Sequence, residues 1–79
     1  MKDFTISVTD NNTLVVRADS QRFGKNAILF EGRTFMACCD YIRRITQRTK
    51  FSLQSLNGVP MFTDADGRTM PRFLEVVFK

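Results

Sequence analysis

The stretch FMACCDYIRRITQRT, residues 35–49, repeats its apolar side chains with the period of an α-helix. Five apolar residues recur three or four positions apart and so fall on one helical face, namely Phe35, Cys38, Cys39, Ile42 and Ile45. Thr34 precedes them and is a suitable N-cap residue. We therefore predict an amphipathic helix from Phe35 to about Thr49 whose apolar face packs on a sheet.

The opposite face of this helix is polar and mostly basic. At about 100° per residue, the outward arc holds Asp40, Arg43, Arg44, Gln47 and Arg48. Tyr41 lies at the border between the two faces. The arginines are therefore expected to point into solvent.

The residues before the helix show the period of two that is typical of β-strands. Residues 3–18 predict a first hairpin, because two alternating runs flank the polar turn DNN at residues 10–12. The stretch DSQRFGKN has no period and indicates a loop. The run AILFEG then predicts a third strand from Ala27 to Glu31, which Gly32 ends.

The residues after the helix return to the period of two. FSLQSL and VPMFT flank Asn57 and Gly58, a dipeptide typical of a type I′ β-hairpin, and Pro60 restricts its strand to a sheet edge. After the turn TDADG, the tail RFLEVVFK predicts a final buried strand. The order β-β-β-α-β-β-β predicts an α+β two-layer domain, an antiparallel β-sheet with a single amphipathic α-helix packed on one face.

The length and composition are those of one small globular domain. The chain has 79 residues, of which 43% are apolar and 25% are charged, so we expect residues 1–79 to form a single domain. The segment MKDFTISV lacks the apolar run of a signal peptide, and no apolar run approaches the length of a membrane span. The two cysteines are adjacent and show no disulfide pattern, so a cytoplasmic location is expected.

The positive charge is concentrated in the middle of the chain. Residues 21–50 carry seven basic and two acidic residues, a net of +5, while residues 1–20 carry −1 and residues 51–79 carry 0. Such a cluster is typical of a surface that binds phosphates or carboxylates. The predicted binding residues are Arg43, Arg44, Gln47, Arg48 and Lys50 on the helix face, with Arg22 and Lys25 from the loop.

This pattern leaves several functional interpretations open. The leading one is a non-catalytic binding protein whose partner is nucleic acid or an acidic protein surface. A second is a stoichiometric protein–protein inhibitor or adaptor of the kind that phages and other mobile elements encode, acting through the strand around Val59–Phe62, the arginine face or a homodimer interface. The competing structural interpretation is a solvated helix face whose cations stabilise the helix C-terminus.

Catalysis, a metal and a cofactor are not expected from the residue types present. The chain contains no histidine, which removes the commonest general base and metal ligand. Cys38 and Cys39 are predicted to face the core and not to act as nucleophiles. A calcium loop starting at Asp64 fails, because Thr69 occupies the position that requires glycine and arginines stand among the ligand positions. An enzyme remains the third and least favoured class.

Overall fold

The fold is the predicted α+β arrangement of one helix on an antiparallel sheet. The computed structural model describes residues 2–79, with side chains from residue 4 onward. Its elements in chain order are β1 (Lys2–Val8), β2 (Leu14–Ser20), β3 (Gly24–Gly32), α1 (Phe35–Thr46), β4 (Phe51–Gln54), β5 (Met61–Thr63), β6 (Thr69–Pro71) and β7 (Phe73–Phe78). α1 has 12 residues, and the described part of the chain contains no helix long and apolar enough to cross a membrane.

The main sheet has five strands in the order β3-β2-β1-β7-β4, and β5 and β6 form a separate two-stranded sheet. All neighbouring strands are antiparallel. The chain builds β3-β2-β1 as consecutive hairpins, crosses the sheet through α1, and adds β4 and β7 on the other side. β7 therefore lies between β1 and β4, as its apolar sequence predicts.

The core lies between α1 and one face of the five-stranded sheet. Every second residue of β1, β2 and β7 points toward the helix, as strand geometry requires. The helix contributes three buried side chains at the predicted spacing. The buried cluster consists of Ile6, Leu14, Val16, Phe35, Cys38, Ile42, Leu74 and Val76.

The N-terminus of α1 is held by two oxygen acceptors from different parts of the chain. Thr34 is the N-cap, as predicted, and its Oγ1 accepts the Ala37 N–H. Asp64 in the β5–β6 turn accepts the Phe35 N–H at 2.9 Å, and its other oxygen accepts the N–H groups of Asp66 and Arg68. Asp64 therefore joins the small two-stranded sheet to the start of the helix.

The helix ends earlier than the sequence predicts. Gln47 adopts the left-handed conformation, with φ of 57°, and donates its N–H to the Arg43 carbonyl, so α1 stops at Thr46 instead of about Thr49. Ile45, predicted to be buried, is 45% exposed. On the helix circumference it lies within about 20° of the buried Cys38, so its exposure follows from its place in the last turn, where the helix ends.

The predicted hairpin at Asn57 and Gly58 is wrong. β4 pairs with β7, and β5 pairs with β6, which the sequence did not predict as a strand. A type I′ turn requires positive φ at both central residues, whereas of these two only Gly58 has it. Pro60 precedes β5, and its carbonyl accepts the Arg72 N–H.

β3 is longer than predicted, extending from Gly24 to Gly32 instead of Ala27 to Glu31. Two register shifts let it follow β2 through the stretch that showed no period. Asn26 has φ of 54° and Gly24 has φ of 95°, so local left-handed backbone absorbs the extra residues. The segment 20–26 is therefore a hairpin end and not a wide loop.

Ile42 and Ile45 form a matched pair for testing how α1 is seated. Ile42 is fully buried and Ile45 is half exposed, so Ile42→Ala is expected to lower the free energy of unfolding by about 2–5 kcal/mol. Ile45→Ala is expected to change it by less than about 1 kcal/mol. Urea unfolding followed by circular dichroism measures both, and equal losses would contradict this orientation of the helix.

The role of Asp64 can be tested through the pH dependence of stability. Burial alone raises the pKa of Asp64, but the N–H groups of Phe35, Arg68 and Asp66, together with the charge of Arg68, lower it below its ordinary value of 3.8. The ionised carboxylate therefore stabilises the fold fully at pH values above the unfolded-state pKa of 3.8. This stabilisation is lost as the pH falls through the lower, folded-state pKa. We expect Asp64→Asn to lower the melting temperature at pH 7 and to flatten its decline below about pH 5.

The control for this experiment is Asp66→Asn, since Asp66 is exposed and lies two residues away. The control is expected to keep the melting temperature and acid profile of the parent protein. An Asp64→Asn protein that melts as the parent does at pH 7 would show that the carboxylate does not hold the helix start.

Candidate functional site

The chain turns toward the sheet where α1 ends, and the basic residues that follow the helix turn with it. The Thr46 hydroxyl donates to the Ile42 carbonyl and accepts the Arg48 N–H at 3.2 Å, which fixes the direction of the chain as it leaves the helix. Gln47, Arg48 and Lys50 therefore lie beyond the helix and not on its outer face, in contrast to the prediction. All three are exposed.

Two of the predicted arginines lie over aromatic rings of the sheet. The Arg48 guanidinium carbon is 4.9 Å from the centre of the Phe78 ring, and that of Arg43 is 5.0 Å from the centre of the Phe51 ring. The rings themselves form an edge-to-face series, with Phe51 and Phe4 at 5.8 and 5.9 Å from Phe78. Each arginine stem thus covers a half-buried ring and keeps its charged group at the surface.

The arginines of the helix differ in whether a carboxylate already pairs them. Arg43 donates to Asp40 at 3.2 Å, with 43% and 65% of the two side chains exposed. Among residues 4–79, no acidic side chain forms an ion pair with Arg44 or Arg48. The Arg44 guanidinium carbon lies 6.0 Å from the centre of the Tyr41 ring. Arg44 and Arg48 are therefore the more available cations.

The end of the β2–β3 hairpin carries the other two predicted binding residues. The Ser20 hydroxyl accepts the N–H groups of Arg22 and Phe23, both at 3.1 Å, and the tight turn this makes projects their side chains outward. Phe23 is 66% exposed, and the Arg22 guanidinium lies 5.3 Å from the centre of its ring. Lys25 is also exposed. An exposed aromatic residue therefore lies between the two predicted cations.

A cleft of about 480 Å³ lies between the hairpin and the residues that follow the helix. One wall is the base of the β2–β3 hairpin, the other is the helix end, and β1 and β7 supply the remainder. Its lining residues are Phe4, Thr5, Arg17, Ala18, Asp19, Asn26, Thr46, Arg48 and Phe78. The two groups of residues predicted from sequence therefore lie at the same end of the molecule.

Sequence reasoning missed two cations at this end. Arg17 lines the cleft and donates to the Asn26 carbonyl, while the Lys79 N–H bonds to the Lys50 carbonyl and so brings Lys79 beside it. The signal for Arg17 was its place as the one charged residue inside the alternating run LVVRA. We call the following set the basic end: Arg17, Arg22, Lys25, Arg44, Arg48, Lys50 and Lys79.

The two cysteines are the nucleophiles considered from the sequence, and both are free thiols. Burial, with a smaller contribution from Cys39, raises the pKa of the Cys38 thiol to about 12, and burial also raises the pKa of Cys39. Both thiols are therefore protonated, and so less reactive, at neutral pH. In the described part of the chain, no group of three or more Cys, Asp or Glu side chains is arranged to hold a metal ion.

Comparisons with known proteins give no match. No family model, no curated protein and no solved structure is significantly similar to this chain.

The burial and the raised pKa of Cys38 predict that its thiol reacts slowly in the folded protein. Cys38 is fully buried and its pKa is raised to about 12, so iodoacetamide at pH 8 is expected to leave Cys38 unmodified in the folded protein. The same treatment in denaturant is expected to modify both cysteines. Mass spectrometry of the peptides measures this, and rapid native modification of Cys38 would mean that its thiol is accessible and ionised.

Proposed function

We propose that this protein is a non-catalytic binding protein that docks its basic end on nucleic acid. The observation that carries the proposal is the meeting of seven cations from separate segments at one end of the molecule. Arg17 comes from β2, Arg22 and Lys25 from the end of the β2–β3 hairpin, three residues from the end of α1 and beyond, and Lys79 directly follows β7. Among the described side chains that line the cleft between them, Asp19 is the acidic one.

The helix dipole does not account for this accumulation of charge. It stabilises cations near a helix C-terminus, and the effect falls off within the last turn. It therefore explains Arg44 and Arg48, which lie near the last carbonyls of α1. Arg17, Arg22 and Lys25 belong to strands and a hairpin, where that stabilisation is absent, so their presence at the same end favours a ligand of opposite charge.

The chemistry of the basic end suits phosphate groups. Arginine guanidinium groups bind phosphate through two parallel hydrogen bonds, and binding gains free energy from the release of counterions condensed on the nucleic acid. Arg48 and Arg22 already rest on aromatic rings, so less side-chain entropy is lost when they bind.

The free thiols fit the reducing cytoplasm in which we place the protein.

A protein partner is the second candidate, and a different surface favours it. A shallow groove of about 230 Å³ beside α1 is lined by apolar side chains between Arg43 and Arg68. Its apolar lining residues are Phe35, Met36, Cys39, Leu53 and Met70. Methionine-rich surfaces adapt to different peptides, and arginines on the rim favour an acidic segment. Inhibitor or adaptor activity through this groove would not depend on the basic end.

The proposal predicts a salt-dependent affinity that the cations of the basic end control. The parent protein is expected to bind a fluorescent oligonucleotide with an affinity that falls linearly with salt on logarithmic axes. Arg44→Gln combined with Arg48→Gln is expected to weaken binding and to reduce that slope by about 1.4–1.8, because two phosphate contacts are lost. Fluorescence anisotropy over a salt series measures both quantities.

The matched control is Arg33→Gln combined with Arg68→Gln. It removes the same charge, and Arg33 lines a separate cleft with Asp64 and Ala65 at the helix N-terminus. This control is expected to keep the slope and most of the affinity. Equal weakening by the two double variants, or no binding by the parent protein, would contradict the proposal, and circular dichroism verifies that every variant is folded.

A further inference from the structure

We infer that the cleft at the basic end binds an unpaired nucleotide, so that the preferred ligand is a single strand and not a duplex. This inference rests on the proposed function and specifies its ligand. The cleft has a volume of about 480 Å³, which falls within the usual range of about 300–1,000 Å³ for small-ligand sites. A base with its sugar and phosphate is a ligand of this class.

The aromatic residues at the cleft favour an unstacked base. Phe4 lines the cleft and is only partly buried, Phe78 lines it with the Arg48 guanidinium over its ring, and Phe23 is exposed on the adjoining hairpin. Modules that bind single strands place bases on aromatic rings or guanidinium planes beside a basic groove. In a duplex the bases are stacked on one another, so these rings would have no base face to contact.

The placement of the arginines also argues against insertion of α1 into a major groove. A helix that reads a duplex carries its contact residues along its outward ridge. Here the Arg43 and Arg48 guanidinium groups lie against Phe51 and Phe78, which belong to β4 and β7. The cations therefore line the side of the helix and the cleft, where a flexible strand reaches them more easily than a rigid duplex.

The polar side chains of the cleft form two groups, one suited to the phosphates of a nucleic-acid strand and one suited to its base. Among the described side chains, Arg17 and Arg48 are the cations that line it, and their guanidinium groups suit phosphate. Asp19 accepts the Asn26 N–H through Oδ1 at 2.9 Å, and its carboxylate repels phosphate but accepts hydrogen bonds from base amino groups. This arrangement predicts that the base enters the cleft while the phosphates remain at its rim.

The test compares ligands and variants by fluorescence anisotropy at one fixed salt concentration. The ligands are a labelled 12-nucleotide single strand of mixed sequence and the blunt duplex made from it. The parent protein is expected to bind the single strand at least about fivefold more tightly, since each stacked base contributes to affinity. Binding of the duplex with equal or higher affinity would overturn the inference while leaving the proposed function intact.

Two variants test the position of the binding site. Arg17 lines the cleft, and Phe23 is exposed on the hairpin beside it. Arg17→Gln and Phe23→Ser are each expected to weaken single-strand binding by about fivefold or more, whereas Arg33→Gln at the other end of the molecule is expected to leave it unchanged. Both altered side chains lie outside the buried cluster, and circular dichroism tests the fold of each variant. Unchanged single-strand affinity in both would overturn the assignment to the cleft. Failure of the parent protein to bind either ligand would overturn the proposed function itself.

Discussion

One face of α1 packs on one face of the five-stranded sheet, and the core and both helix ends are arranged around this contact. The helix has only 12 residues and buries three side chains fully, so its packing has little apolar area to spare. Its two ends must therefore be fixed by other means. Thr34 and Asp64 bind the first N–H groups, and the arginines that lie on Phe51 and Phe78 cover the sheet where the helix ends.

The basic end follows from this same packing. α1 crosses the sheet and stops at Thr46 beside the base of the β2–β3 hairpin, because Gln47 takes a left-handed conformation. The cations that follow the helix then meet cations from β2 and β3. The cleft between them is therefore a product of where the helix ends.

Charge is distributed along the helix axis in the direction that the helix dipole favours. The Asp64 carboxylate is held at the N-terminus of α1, and Arg44 and Arg48 are near its C-terminus, as the helix dipole favours. The strand residues Arg17 and Lys25 extend the positive region beyond the reach of that dipole. The same surface thus combines cations that stabilise the helix with cations outside the reach of the dipole, and the proposed binding rests on the second group.

Spacing and capping chemistry within a few residues predict the helix, its Thr34 cap and the first hairpin, and with them the α+β class and the exposed Arg22. The pairing of β7 with β4, and the position of Arg17 and Lys79 among the cations near the helix end, emerge only in the folded structure. Strand partners and clefts depend on contacts between residues far apart in the chain, and no local spacing encodes which of those contacts form.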